Sequence, residues 1–569
     1  MRTTIMMDNC LSKDIYFHEF DEEINAIPLP THFTFPFCYE PHLLAKKASE
    51  YVQQYILTQQ EWIHNFGLEP KMEGQAIGKM FGVLVVQDQN KKIGFLAGFS
   101  GKLAGKNDHR YFVPPVFDML TENSFFLLEE DHLNDLNKQI AVLEGSEKGI
   151  ELKRALEETK INLDQQLIQF KEKLKTQKKE RKLLRDHSKS VLSAVSYALL
   201  EQDLIKQSLR DKYELHVFQK QYQLDMAAAE QPLQDYIDTI ADLKEERRKR
   251  SSRLQNQLFA QYNFLNANGE SKNVMDIFKA FNKLQPPAGS GECAAPKLLQ
   301  YAYLNQYKPI ALAEFWWGQS PSAEVRRHLH YYPACRNKCE PILGYMLQGL
   351  LVDKNPMLEN PDENIALPII YEDESLVIIN KPEEFLSVPG IHVQDSVYTR
   401  MIKKYPDAGP LIVHRLDMST SGILVLAKNK EAHKIIQSQF INHTIVKQYI
   451  ALLDGIITED AGMISLPIRV DLDDRPRQLV CYEHGKKAVT RWEKIAVVAG
   501  KTKVRYFPLT GRTHQLRLHS AHPSGMNCPI VGDDLYGQKA NRLHLHAAYI
   551  AFNHPVTNER IHFYVEPNF

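Results

Sequence analysis

The sequence predicts a multidomain α+β protein: an N-terminal α/β region interrupted by a long helical, coiled-coil arm, followed by a C-terminal sheet-bearing domain. Three observations carry this. At 569 residues, 43% hydrophobic and 24% charged, the chain is too long for one core and apolar enough for several. Between about 126 and 265 glycine and proline nearly vanish, charged residues dominate, and apolar residues fall at heptad spacing. On either side, short apolar, β-branched runs alternate with polar turns, the pattern of strands. The predicted domains are 1–125, 126–265, 266–355 (packing with 1–125) and 366–569.

Composition excludes several classes. No window is long and apolar enough to span a membrane. The N-terminus, Met1 to Lys13, carries Asp8 and no apolar core, so it does not read as a signal peptide. Seven irregularly placed cysteines do not form a disulfide framework and point to a reducing cytoplasmic setting. The net charge of −1 gives no global sign of nucleic acid, so any RNA contact must be local.

Taken in order, a helix is predicted over Pro41 to Phe66, with Leu44, Ala48, Val52 and Tyr55 on one face. Gly82–Val86 and Lys91–Ala97, around Gln87–Asn90, predict a β-hairpin. The glycine-rich stretch 98–105 lacks a phosphate-loop pattern and reads as a turn. In the arm, Leu156, Leu163, Leu167, Phe170 and Leu174 step at heptad intervals, and a second series runs from Tyr197 to Tyr222. A break near Asp186–Ser188 allows an antiparallel hairpin; one continuous dimerising arm is the alternative. Eight basic residues from Lys171 to Arg185 face only Glu172 and Glu180, either as a solvated face or as a phosphate-contacting arm.

In the middle domain a loop enters a helix at Cys293, Pro309–Gly318 reads as a buried strand, and Cys335 and Cys339 follow Pro333. Cys293, Cys335 and Cys339 are candidate zinc ligands, with His328 or His330 as a fourth; free thiols are the alternative. This order of elements loosely resembles the cytidine-deaminase-like fold. That family places a Glu two residues after its first ligand. Here that position is Ala295 and the nearby acid is Glu292, so the resemblance implies a degenerate, non-catalytic relative, with a bifunctional enzyme carrying a zinc deaminase-like activity in its N-terminal half as the alternative.

Pro356 and Pro361 mark a linker over about 353–366. In the last domain, His414-Arg415-Leu416-Asp417-Met418-Ser419-Thr420-Ser421-Gly422 runs directly into an apolar strand, Ile423–Ala427. A loop pinned to a buried strand is a good place to present a reactive group. An isolated Arg-Leu-Asp would read as a capped turn, but the whole block resembles the signature His-Arg-Leu-Asp-x-x-Thr-Ser-Gly of the RluA-type pseudouridine synthases. Further blocks match in order: Asn380-Lys381-Pro382, Lys447-Gln448-Tyr449-Ile450-Ala451, Gly511-Arg512-Thr513-His514-Gln515-Leu516-Arg517, and Arg542 to Ala547.

The resemblance implies a mixed, mainly antiparallel sheet flanked by helices over 366–569. It also implies isomerisation of uridine to pseudouridine in RNA without cofactor or metal. Residue by residue, it makes Asp417 catalytic, sets Tyr449 against the target base, and gives Arg512 the task of pairing with Asp417. Arg415, His414, Thr420, Leu545, Arg517 and Lys447 are then candidate RNA or base contacts. From 365 onward, 24 Lys and Arg stand against 21 Asp and Glu, a mildly basic balance suited to gripping phosphates. Ribosomal RNA, 23S in particular, is the expected substrate, with a tRNA anticodon stem-loop as the alternative.

Overall fold

The computed structural model describes residues 14–569 except 22, 23, 25, 38, 70, 71, 284, 356–364, 391, 392, 410 and 473. The expectations at Met1–Lys13 and at the linker prolines Pro356 and Pro361 lie outside the described residues. The chain divides into two compact units, Met119–Leu258 and the remainder.

In the larger unit, β1 (His18–Glu19), α1 (Leu43–Thr58), β2 (Lys79–Gln87) and β3 (Ile93–Phe99) precede the arm. Helix α1 stops at Thr58, eight residues short of the predicted Phe66, where the Gln59 side chain turns to accept the amides of Glu61 and Trp62. The smaller unit is built from α2 (Phe125–Glu144), α3 (Lys148–Val191) and most of α4 (Ala194–Gln261). Helices α3 and α4 run antiparallel: Phe170 stacks on Phe218 at 4.6 Å, Tyr222 donates to Asp164 at 2.6 Å, and Arg181 pairs with Asp211. The break falls at Leu192–Ser193, a few residues beyond the predicted one.

The chain then forms β4 (Asn263–Leu265), β5 (Ser271–Asn273), α5 (Val274–Ala280), α6 (Ala294–Leu304), β6 (Lys308–Trp317) and α7 (Glu340–Met346). Strand β6 joins the N-terminal hairpin in one sheet of order β1-β3-β2-β6. Its central strands are apolar on both faces because α1 covers one face and α5, α6 and α7 the other.

The remaining elements are β7 (Ile369–Glu372), β8 (Leu376–Lys381), α8 (Val397–Lys404), β9 (Ser421–Ala427), α9 (Lys430–Ile441), β10 (Val446–Leu453), β11 (Ala461–Val470), β12 (Gln478–Val480), β13 (Lys486–Val498), β14 (Lys501–Pro508), α10 (Gln515–Ala521), β15 (Leu545–Asn553) and β16 (Arg560–Tyr564). They form a ten-stranded mixed sheet, β12-β11-β13-β14-β10-β15-β9-β8-β7, with β16 pairing β15. Among these pairings only β9–β15 is parallel. The segment after β6 packs into this half as well: Val325 sits in its core and Arg326 pairs with Asp474 at 2.8 Å.

Candidate active site

The loop before β9 is held rigid from below. Lys381, at the end of β8 and fully buried, donates to the carbonyls of Pro382, Phe385 and Met418 at 2.7, 2.7 and 2.9 Å. Ser387 accepts the Leu416 amide and donates to the Leu416 carbonyl. Thr420 is buried and closes the turn by donating its amide to the Asp417 carbonyl at 3.1 Å. Gly422 then lies against β15 with φ +115°, facing Ala547 in register.

This rigid turn holds Asp417 at a cavity of about 430 Å³. The cavity gathers all nine residues singled out in the synthase-like half: His414, Arg415, Asp417, Thr420, Lys447, Tyr449, Arg512, Arg517 and Leu545. Among the described residues, no ion pair or side-chain hydrogen bond engages the Asp417 carboxylate. Tyr449 reaches the cavity beside a β-bulge between Gln448 and Tyr449 in the β10–β15 ladder. A bulge re-aims the side chain that follows it. Burial, reinforced by the Asp417 charge, pushes the Tyr449 hydroxyl well above its ordinary pKa and keeps it protonated. Leu545 opens β15 as a buried apolar wall. Burial lowers the Lys447 ammonium, whose Nζ lies 6.0 Å from the centre of the Phe440 ring.

Three expectations are corrected. Arg512 does not pair with Asp417. It is exposed, and its Nε donates to the Lys487 carbonyl at 3.2 Å. The reason is where α10 begins. Neither Thr510 nor Thr513 is its N-cap; that place is held by His514, in the left-handed region at φ 53°. The Gln515 side chain ties the preceding turn, accepting from the Arg512 amide and the Thr510 hydroxyl, so Arg512 stays outside. The guanidinium that does enter the site is that of Arg517. It is 3% exposed and forks onto Asp533 at 3.0 and 2.6 Å and onto Asp534 at 2.8 Å. Burial, then the Arg517 charge, lowers the His514 pKa to about 4, against an opposing pull from Asp417.

His414 lines the cavity but is committed elsewhere: its Nε2 accepts the Val425 amide at 3.0 Å, and burial drops its pKa to about 3, so it is a neutral prop of β9. The third correction concerns the cysteines. Cys293, Cys335 and Cys339 do converge, but His328 and His330 do not join them; His328 accepts the Gly318 amide and His330 contacts the His328 carbonyl.

Sequence reasoning passed over two features. One is Lys381, visible only as part of a Lys-Pro pair. The other is a second cavity that shares Asp417, His514 and Arg517 with the first and is walled by Tyr39, Lys46 and Tyr331 from the N-terminal sheet region and by Arg475, Arg477 and Lys539. Nothing in the local pattern around Tyr39 or Tyr331 marks them as neighbours of the Asp417 loop.

Residues 375–522 match a family model described as RNA pseudouridylate synthase. Proteins named "Dual-specificity RNA pseudouridine synthase RluA" align with the same half. The protein from Haemophilus ducreyi is 42% identical over 221 residues, 37% of this chain and 97% of the relative. That from Vibrio cholerae is 41% identical over 203 residues, 34% of this chain and 81% of the relative. That from Escherichia coli is 39% identical over 218 residues, 37% and 97%. A solved structure, human RNA Pseudouridylate Synthase Domain Containing 1, is 29% identical with a TM-score of 0.31, covering 37% of this chain and 87% of its own. With nearly the whole length of its bacterial relatives reproduced in its last third, behind a long N-terminal extension, this chain belongs to the RluA-type family of RNA pseudouridine synthases and is an isomerase acting on RNA.

Proposed function

We propose that this synthase isomerises uridines in structured ribosomal RNA, 23S in particular, with Asp417 as the group that opens the glycosidic bond. The observation that carries the reading is a carboxylate free of any side-chain partner among the described residues, fixed on a braced turn, in a cavity of a size that suits one small ligand. A target uridine leaves its stack and lies along Tyr449 and Leu545, a flat ring and an apolar wall that hold a base without reading its edge. Arg415, exposed at the mouth, and Arg512, outside the helix, are placed for phosphates.

Two roles fit the acid: attack on the ribose carbon that bears the base, or removal of a proton from the sugar. In the first, the bond from that carbon to N1 breaks as a bond to the Asp417 oxygen forms, and C5 of the turned base then displaces that oxygen; in the second, the base leaves as Asp417 takes the sugar proton, which returns to the sugar as the bond to C5 forms. The C5 proton is lost and N1 gains one, so atoms balance and the product is an isomer. Arg517, rather than Arg512, is the guanidinium built into the wall of this cavity, fixed there by Asp533 and Asp534.

A tRNA stem-loop is the second reading, and the words "dual-specificity" in the names of the bacterial relatives leave room for more than one RNA substrate. The test combines Asp417→Asn with chemical mapping of pseudouridine in ribosomal and transfer RNA from cells with and without the protein. Turnover should fall by about 10,000-fold or more, with RNA affinity within about threefold. Full activity of the variant refutes the assignment of Asp417, and loss of sites from tRNA alone refutes the ribosomal substrate.

A further inference from the structure

We propose that Cys293, Cys335 and Cys339 bind a zinc ion, with the buried Glu314 beside its fourth coordination position. The three Sγ atoms lie within 4.8 Å of one another, and Cys335 and Cys339 are 3.4 Å apart. Around a tetrahedral zinc with Zn–S of about 2.3 Å, sulfurs stand about 3.8 Å from each other. The thiols therefore need to shift only by tenths of an ångström to about one ångström to close on the metal. A disulfide needs sulfurs at about 2.05 Å and would leave the third thiol over.

The convergence is assembled by the fold and not by local spacing. Cys293 is the N-cap of α6 and makes no side-chain cap bond. Cys335 and Cys339 come from the segment between β6 and α7, on the other side of β6 in the chain. Thiols are weak hydrogen-bond groups, so bringing three together in a core gains little unless something binds them. Three sulfurs select a soft or borderline ion, and a neighbouring oxygen donor favours zinc over copper(I).

That oxygen donor is Glu314, on β6 and 4% exposed. It sits between the two cysteine segments. Its Oε1 accepts the amide of Ala295, two residues past Cys293, at 3.2 Å, and its carbonyl accepts the amide of Tyr332, three residues before Cys335, at 2.9 Å. A carboxylate has lone pairs beyond that one bond, and a water on the metal would use them. Lys297, one turn along α6 and fully buried, brings a cation to the Cys293 end of that helix, where it pairs with Glu292 at 3.6 Å. The segment that carries Cys335 also carries Val325 and Arg326, which are embedded in the synthase half. The metal would thus clamp the end of the stretch connecting the N-terminal sheet to the catalytic core.

The test uses the full chain, purified under reductant and loaded with Zn²⁺ or Co²⁺. About one metal per chain is expected, and the cobalt form should show thiolate charge-transfer and tetrahedral d–d bands. Cys335→Ser and Cys339→Ser should abolish binding, Cys481→Ser should retain it, and Glu314→Gln should retain it with shifted d–d bands. Should the serine variants fail to fold, alkylation mapping of the wild type decides: Zn²⁺ should slow labelling of all three cysteines by about tenfold or more, with Cys481 unaffected. Substoichiometric metal, binding that survives Cys335→Ser, unprotected thiols, or a Cys335–Cys339 disulfide under reductant each overturns the proposal.

Discussion

Arg517→Met is the perturbation whose outcome the structure constrains most tightly. The side chain is 3% exposed and Asp533 is fully buried. The guanidinium spans both Asp533 oxygens, and Asp533 also accepts the amides of Leu535 and Tyr536 at 3.0 Å. Methionine fills similar space and leaves a buried carboxylate with two amides and no cation. Breaking a buried pair in this way costs about 3–5 kcal/mol. For a body of this size that is a drop in Tm of roughly 6–20 °C.

The pH dependence separates this cause from a simple packing defect. Burial pushes the Asp533 carboxyl up, and the Arg517 charge and hydrogen bonds outweigh it, so in the wild type its pKa lies below the ordinary carboxylate value. Its contribution to wild-type stability is present above that ordinary value and is lost only as pH falls below it. In the variant burial dominates and the pKa rises above the ordinary value. The folded variant then takes up a proton before the unfolded chain does and recovers stability as pH falls. Urea unfolding at pH 7.5 and 5.5 should therefore show a gap between the two proteins that narrows on acidification. A loss below about 1 kcal/mol at pH 7.5, or a gap that stays constant, refutes the reasoning. Turnover of the variant, measured where it is still folded, should fall as well, because Arg517 forms part of the wall of the Asp417 cavity.

Other consequences are measurable with the same protein. Gly422→Ala sets a Cβ 2.6 and 2.8 Å from the Ala547 amide nitrogen and carbonyl carbon, at a φ of +115°. It should cost about 2–5 kcal/mol in urea unfolding and lower turnover by displacing the Asp417 turn. Lys381→Met strands three carbonyls and should cost about 3 kcal/mol or more, read in the same way. Buried His514, His519 and His546 have pKa values lowered to about 4, mainly by desolvation. Their unfolded forms bind protons first, so stability should fall as pH drops from about 6.5 toward 4, and replacing them with Gln should flatten that slope. Changing the exposed Lys171, Lys173, Lys175, Lys178 and Lys179 to Gln should weaken RNA binding at low salt and reduce the salt dependence of its affinity, by filter binding; unchanged affinity leaves the helical face as merely solvated.

What the sequence discloses about the site divides by distance along the chain. The turn into β9 is written locally: a polar block, Ser-Gly, then five apolar residues. The hairpin at β2–β3 and the strand at β6 are legible for the same reason, since period and turn chemistry act over a few residues. The supports of Asp417 are not local. Lys381 meets the Met418 carbonyl 37 residues on, and Ser387 meets Leu416 across 29. No spacing rule announces such a contact, because it depends on β8 and β9 being neighbours in the sheet. The same holds for the aim of Tyr449, set by a bulge that only the pairing of β10 with β15 creates.

The two arginines of the block at 511–517 show how narrow the margin is. Both are present, five residues apart, and residue type does not say which one enters. The choice rests on the point at which α10 starts, and capping propensity alone favours a threonine, at 510 or 513, over a histidine. The chain instead uses the Gln515 amide to tie the turn and accepts positive φ at His514, a conformation that costs energy outside glycine and persists where the surroundings fix it. His514 is fixed in this way: it is buried, neutral, and hydrogen-bonded to Tyr536, whose own amide is held by Asp533, the partner of Arg517. The strained residue and the buried ion pair are thus one assembly. Replacing Asp533 should release His514 as well as Arg517, and it is this shared dependence that assigns the inward guanidinium to position 517 and leaves 512 to the solvent side.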